Sequence, residues 1–273
     1  VNVTSAVGPE PSPNYEDYRE AILTDLSLPP EAWRFKSTAG YRHILEHVPL
    51  QQAHDFIACV RAEFLWLWDA LKYEVVGIAI ANDHYGKPLM EQFPELGLVC
   101  SPSNFRYLYH ALLVLNDIRQ HAEPVDIVEL GGGYGGLALY IQSLQHHFGN
   151  LVRRYVIVDL PEAVALIERY CSMLGLPVIA VNGLDPALLD SYLTTSLRQF
   201  FVSCYGFAEF DVATQHWYAE RVIRRCDHGF LAWNYADNWS YRPPNHVYQF
   251  TEKSITTEPE RPLIAPGCLF VRF

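Results

Sequence analysis

The run Val125-Asp126-Ile127-Val128-Glu129-Leu130-Gly131-Gly132-Gly133-Tyr134-Gly135-Gly136-Leu137 constrains the fold of this chain more than any other segment. A short apolar stretch ending in an acid, then a turn built almost wholly of glycine, then a return to apolar spacing, spells strand, tight turn and helix. Backbone that bends closely against a ligand needs residues without a β-carbon, and Gly131, Gly133 and Gly135 supply them. The alternation continues downstream. Strands are predicted over Val125–Leu130, Tyr155–Val158, Val178–Val181, Phe200–Cys204 and Phe230–Asn234. Between them helices are predicted over Tyr134–His147, Pro161–Leu174, Pro186–Arg198 and Val212–Cys226. Short apolar strands separated by amphipathic helices imply a parallel sheet covered on both faces. Two later runs, His246–Ile255 and Cys268–Phe273, have no long helix between them and are expected to pair as a hairpin at the sheet edge. The expectation for residues 124–273 is an α/β domain with a seven-stranded, mostly parallel sheet.

Before residue 124 the pattern is helical. Tyr15 to Leu26 carries apolar residues at helical spacing and is closed by Pro29-Pro30. Gln51 to Lys72 reads as one long helix with a stripe of Phe56, Val60, Phe64, Leu67 and Leu71. Ser103 to His121 reads as another, opened by Ser103 or Asn104 as cap. Between the two lie an extended run, Glu74 to Ala81, and a polar turn from Asn82 to Pro88. Residues 1–123 are therefore expected to form a helical cap over the α/β domain.

Several classes of function drop out on composition. Of 273 residues half are apolar, so a large core is available and disorder is excluded. Apolar runs such as Val75 to Ala81 fall far short of the ~20 residues that span a bilayer, so no membrane partner is expected. A net charge of -11 with scattered basic residues argues against a duplex-binding surface, so no nucleic acid is expected. Six cysteines without a Cys-x-x-Cys pair, and a start with no basic segment ahead of an apolar one, point to a reducing, cytoplasmic setting.

The next strand also ends in an acid. Asp159, in Tyr155-Val156-Ile157-Val158-Asp159-Leu160-Pro161, lies 24 residues after Gly135, about where a carboxylate takes ribose hydroxyls in a Rossmann-like unit. A dinucleotide would place its pyrophosphate on the helix N-terminus, and Glu129 directly ahead of the glycines would repel that anion. A cationic amino-acid cofactor tolerates such a carboxylate. Acid-x-Gly-x-Gly-x-Gly, here Glu129, Gly131, Gly133 and Gly135, thus resembles the S-adenosylmethionine (SAM) site of class I methyltransferases. The alternatives at this point are a nicotinamide or flavin site, or a turn that binds nothing.

Other segments narrow the resemblance. Glu129 to Gly136, Val158 to Pro161, Ser101-Pro102, Arg106-Tyr107, Asn82-Asp83-x-x-Gly86-x-Pro88, Tyr205-x-Phe207-x-Glu209 and Ile44 to Val48 together are similar to the sugar O-methyltransferase family. The resemblance covers roughly residues 40 to 240 and implies a Rossmann-like methyltransferase fold with SAM as cofactor and a sugar hydroxyl as acceptor. The chain departs from that pattern at Lys87, where the family tends to have Asn, at Ala208, where it tends to have Ser, and at Ser103-Asn104-Phe105, where it tends to have Thr-Thr-Leu.

In an open α/β sheet the ligand sits outside the carboxyl ends of the strands, so residues following each strand are the candidates. For the cofactor these are Glu129, Gly131, Gly133, Tyr134, Gly135, Asp159, Leu160, Asn182 and Tyr205, with Arg106 as partner of a carboxylate. A sugar hydroxyl is a poor nucleophile, and Glu209, after the fourth strand, is the first candidate base, with Asp83 in the polar turn as the second. Asn82, Tyr85, Asn234 and Trp239 are the candidate acceptor contacts. Trp233, Tyr235, Trp239 and Tyr241 are candidates to stack on a sugar ring or any flat acceptor, with packing in the core as the alternative. No His-x-x-x-His pair occurs and His146-His147 falls where a helix C-terminus favours histidine, so no metal site is expected; a divalent ion on Asp83, Glu209 or Asp237 is the alternative. The expected activity is O-methylation of a sugar or sugar-containing metabolite, in a natural-product setting, by a chain whose exposed helical face would support a homodimer. Two rivals stand beside it: methylation of a phenol or amine, and a non-catalytic nucleoside-binding protein.

Overall fold

The computed structural model describes residues 15–193, 198–234 and 251–273. Its N-terminal part runs α1 (Glu16–Leu26), α2 (Ala39–Ile44), α3 (Leu50–Glu63) and α4 (Leu65–Asp83), then a small antiparallel pair, β1 (Glu91–Phe93) and β2 (Leu98–Cys100), then α5 (Ser103–His121). The single helix expected over Gln51–Lys72 is two, broken at Phe64, whose backbone (φ -121°, ψ 35°) is not helical. The extended run expected over Glu74–Ala81 is helical throughout and belongs to α4. Its buried residues Leu71, Val75, Ile78, Ala79 and Asn82 recur at steps of three and four, a spacing that the dense apolar run hides in sequence. Asn82 and Asp83 accordingly end a helix and are not part of the turn. Helix α5 has the expected bounds, but Ser103 and Asn104 lie inside it. The hydroxyl of Ser101 performs the capping role, accepting from the Ser103 N–H at 3.2 Å.

The α/β part follows as β3 (Val125–Leu130), α6 (Gly136–Leu144), β4 (Val152–Asp159), α7 (Pro161–Met173), β5 (Val178–Asn182), α8 (Pro186–Leu193), β6 (Gln199–Cys204), α9 (Val212–Arg221), β7 (His228–Trp233), β8 (Thr256–Pro259) and β9 (Leu269–Arg272). The sheet order is β5-β4-β3-β6-β7-β9-β8, parallel except where β9 runs antiparallel between β7 and β8. This is the expected seven-stranded Rossmann-like sheet with a hairpin at its edge. The hairpin's first strand sits later than expected: residues 251–255 are not in a strand, while 246–250 lie outside the described residues. Helix α6 begins at Gly136, not Tyr134, because Gly133 and Gly135 hold left-handed backbone (φ 66° and 94°) that no helix contains. Helices α8 and α9 stop earlier than the sequence pattern extends; residues 194–197 lie outside the described residues, and a 3-10 turn, Ile223–Arg225, follows α9.

One apolar core joins both parts. Phe56, Leu71, Leu112 and Tyr134 belong to the same buried cluster as Ile127, Ile157 and Phe200 of the sheet. A second cluster on the other face includes Val128, Val156, Phe201 and Trp217. The N-terminal helices therefore cover one face of the sheet and reach its carboxyl edge. Among the described residues, no helix is long and apolar enough to cross a membrane.

Candidate active site

Strands β3 and β6 are neighbours although two strands, β4 and β5, separate them in the chain, so their onward connections leave in opposite directions and open a crevice at the carboxyl edge. There the backbones touch: a β-carbon on Gly131 (φ 80°) would lie 3.3 Å from the Gly206 Cα. A cavity of about 460 Å³ opens at this point, in the range of small-ligand sites. Its floor is the glycine turn with Glu129 and Asp159, and its roof comes from Tyr15, Tyr18, Leu45, His47, Arg106 and His110 of the N-terminal part. Glu209, Phe210 and Asn234 form the rim beyond β6 and β7.

The floor is acidic. Glu129 is buried, accepts from the Tyr155 hydroxyl at 3.0 Å, and has its carboxyl pushed up to about 8, chiefly by burial. Asp159 accepts from the Gly133 N–H at 2.8 Å and the Leu160 N–H at 2.7 Å; burial still holds its carboxyl up at about 6. These bonds consume the donors that a phosphate would need. The Gly131 N–H donates to the Val158 carbonyl at 2.9 Å and the Gly135 N–H to the Gly132 carbonyl at 3.0 Å. With Gly133 bound to Asp159, the N–H groups of Gly131, Gly133 and Gly135 all have protein acceptors.

Arg106 lies 4% exposed in the opposite wall, donating to the Leu45 carbonyl at 2.6 Å, with its guanidinium carbon 5.7 Å from the Tyr205 ring centre. Tyr205 adopts left-handed backbone (φ 73°), which turns its ring across the crevice, and its hydroxyl donates to Glu260. Glu260, on the loop after β8, is buried, and burial raises its carboxyl to about 7. His110 lines the cavity beside it, Nε2 standing 3.9 Å from Glu260 and without a hydrogen-bond partner among the described residues. Burial, and then the charge of Arg106, push the His110 imidazole down to about 3, and the more exposed His47 is pushed in the same direction. Both are neutral acceptors at physiological pH.

Glu209 sits at the end of a 3-10 turn, Gly206–Glu209. One of its oxygens accepts from the Tyr15 hydroxyl at 2.6 Å and the other from the Asn234 amide at 2.9 Å. Each oxygen keeps a second lone pair, so the carboxylate is oriented from both sides and still able to take a proton.

The cavity thus brings together Glu129, Gly131, Gly133, Asp159, Leu160, Arg106, Tyr205, Glu209 and Asn234 of the residues expected from sequence. Others stand elsewhere. Tyr134 is fully buried behind the turn, donating to Glu46 at 3.1 Å. Gly135 serves helix packing: a β-carbon there would lie 2.8 Å from Cys171 Sγ. Asn182 closes its own turn, accepting from the Leu184 N–H at 3.0 Å, and Leu184 lines the cavity instead. Asn82 is buried in a network, donating to Asn104 at 2.8 Å and accepting from the Tyr170 hydroxyl at 2.7 Å. Asp83 accepts from the Ser101 N–H at 2.7 Å and Asn104 at 2.9 Å, anchoring the start of α5 outside the cavity, so it does not stand where a base would act. Tyr85 packs edge-on against Trp33 and Tyr170, also outside the cavity lining. Trp233 packs in the core against Phe207. Tyr235, Asp237, Trp239 and Tyr241 lie outside the described residues. Tyr15, Tyr18, His47 and Glu260 were missed, since each comes from a segment whose local pattern reads only as helix or loop.

No protein-family model matches this chain, and no curated protein matches it. Solved structures do. The bifunctional kinase-methyltransferase WbdD is 12% identical over 61% of this chain and 38% of its own, with a TM-score of 0.42. This chain therefore spans well under half the length of that protein. A SAM-dependent methyltransferase from Aquifex aeolicus is 16% identical over 61% of this chain and 89% of its own, with a TM-score of 0.39. CalS10, an amino pentose methyltransferase from Micromonospora echinaspora involved in calicheamicin biosynthesis, is 11% identical over 56% of this chain and 57% of its own, with a TM-score of 0.35.

Proposed function

We propose that this chain is a SAM-dependent methyltransferase that methylates a hydroxyl oxygen of a sugar or sugar-containing small metabolite. The observation that carries the reading is the state of the glycine turn: its N–H groups at Gly131, Gly133 and Gly135 are spent on protein acceptors, and two carboxyls face the cavity. A pyrophosphate would find these three donors taken and two carboxyls beside them. A cationic nucleoside finds acids whose charge it would restore.

When bound, SAM supplies an already activated methyl group. Glu129 and Asp159 would hold its cationic and ribose ends, and Gly131 to Gly133 with Leu160 would form the wall against which it lies. Arg106, buried opposite, offers a partner for a carboxylate. The chain's remaining work is to align an acceptor oxygen and remove its proton. Glu209 is the proposed acceptor of that proton, held in place by Tyr15 and Asn234 at 2.6 and 2.9 Å. The N-terminal part, acting as the cap, excludes water from the same cavity and shapes the acceptor site through Tyr15, Tyr18 and His47.

Turnover with methyl-labelled SAM over a panel of glycosides, free sugars, phenols and amines tests this reading. We expect S-adenosylhomocysteine release to depend on a sugar hydroxyl. Glu209→Gln should lower kcat by about 10²–10⁴-fold, the usual contribution of a positioned base, while leaving SAM affinity unchanged. A Glu209→Gln enzyme with full rate on a phenol would shift the acceptor to one that ionises by itself. Binding without turnover on any acceptor would make the chain a nucleoside-binding protein.

A further inference from the structure

Glu74, His146 and His147 meet outside the cavity lining, Glu74 standing 72 residues before His146 in sequence. Glu74 lies in α4, and the two histidines lie in the 3-10 turn Gln145–Phe148 that follows α6. His147 Nε2 stands 3.0 Å from one Glu74 oxygen and His146 Nε2 stands 3.5 Å from the other. A ligand atom from each of the three lies within 4.8 Å of the others. Donors around a tetrahedral ion with bonds of about 2.0–2.1 Å are separated by about 3.3 Å, so one oxygen of Glu74 and the two imidazole nitrogens need only draw together slightly to hold one.

A second feature is the orientation of His146. Its Nδ1 lies 3.0 Å from the Ser143 carbonyl, which can only accept, so Nδ1 carries the proton and Nε2 presents its lone pair to Glu74. Metal-bound histidines commonly donate their other ring N–H to a backbone carbonyl in this way. Two imidazoles and one carboxylate suit a borderline transition ion such as Zn²⁺ and not Mg²⁺ or Ca²⁺, which take oxygen donors.

We propose that Glu74, His146 and His147 form a divalent transition-metal site of the Zn²⁺ class that clamps α4 to the turn after α6. Binding displaces the proton between His147 and Glu74, which passes to His147 Nδ1 or to solvent, and leaves at least one coordination position to water. The site is a brace: α4 carries Asn82 and Asp83 at its far end, and α6 springs from the glycine turn. Its location apart from the cavity makes it independent of the reaction assigned above.

The test is titration of the full, tag-free chain, stripped with chelator, with ZnCl₂ by calorimetry and with CoCl₂ by absorption. One equivalent is expected to bind with a visible cobalt band and no thiolate charge-transfer band, which separates this site from the six free cysteines. At a hundredfold excess over Kd the melting temperature should rise by about 5–10 °C. His146→Ala with His147→Ala should abolish that equivalent, and Glu74→Gln, which keeps the side-chain shape, should weaken it at least tenfold; a millimolar excess of Mg²⁺ should not compete. Unchanged stoichiometry in both variants, or no uptake by the parent chain at millimolar zinc, overturns the assignment.

Discussion

Loading the active site with a sulfonium nucleoside should expel a proton. Glu129 titrates at about 8 in the ligand-free protein, against 4.5 for an ordinary glutamate, because burial penalises its charged form. At pH 7 the protonated acid therefore predominates. A cation placed beside it favours the carboxylate and draws the titration back toward its usual range. The ligand binds the deprotonated form, so the affinity that Glu129 contributes is lost as pH falls below about 8. The loss approaches tenfold per pH unit, about a hundredfold from pH 9 to pH 6. Calorimetry in two buffers of different ionisation enthalpy counts the protons, and most of one proton should leave Glu129 per ligand bound at pH 7. The ligand's own α-amino group titrates in the same range. The count is therefore taken as the difference between the parent chain and Glu129→Gln, which has nothing to release. Equal proton counts for the two proteins, or affinity that tightens in acid, would refute the pairing of a cation with this acid.

Three further expectations follow from the packing around the site. Gly132→Ala puts a β-carbon 2.4 Å from Ile157 Cγ2, so it should cost about 1–3 kcal/mol, a fall of about 3–10 °C in Tm by calorimetry. Adding Ile157→Ala, which removes the clashing methyl, should return part of the local geometry and the cofactor affinity. Asn82→Ala strips partners from Asn104 and Tyr170 in a fully buried network and should cost about 2–4 kcal/mol in denaturant unfolding, with SAM affinity unchanged at temperatures where the fold persists. A selective loss of acceptor binding without loss of stability would instead return Asn82 to the substrate site. Arg106→Gln removes the charge that adds to burial in depressing His47 and His110, so both imidazoles should titrate at higher pH by NMR; unmoved titrations would place the guanidinium elsewhere.

What could be read from the chain alone divides along a physical line. The glycine turn, the acids closing β3 and β4, and the alternation of strand and helix are local: each depends on residues within one crossover, and the sheet carries them as expected. The parallel order then dictates that Glu129, Asp159, Tyr205 and Glu209 converge on one edge, because parallel strands all present the same end. Periodicity failed where a helix is apolar nearly all round, as over Val75–Ala81, since the strand and helix patterns coincide there.

Tertiary structure decided everything that needs two distant segments. Asn82 and Asp83, polar residues in what reads as a turn, are spent on Tyr170, Asn104 and Ser101 because a buried polar group must find a partner, and theirs lie across the core. Tyr15 reaches Glu209 across 194 residues, Glu260 holds Tyr205 across 55, and Glu74 meets His146 and His147 from another helix. Spacing along a chain encodes the pitch of a helix or the pleat of a strand; it holds no record of which faces are later pressed together. The amino-acid sequence determined the glycine turn and the acids of this cavity, and only packing of the N-terminal helices onto the sheet decided which side chains close it.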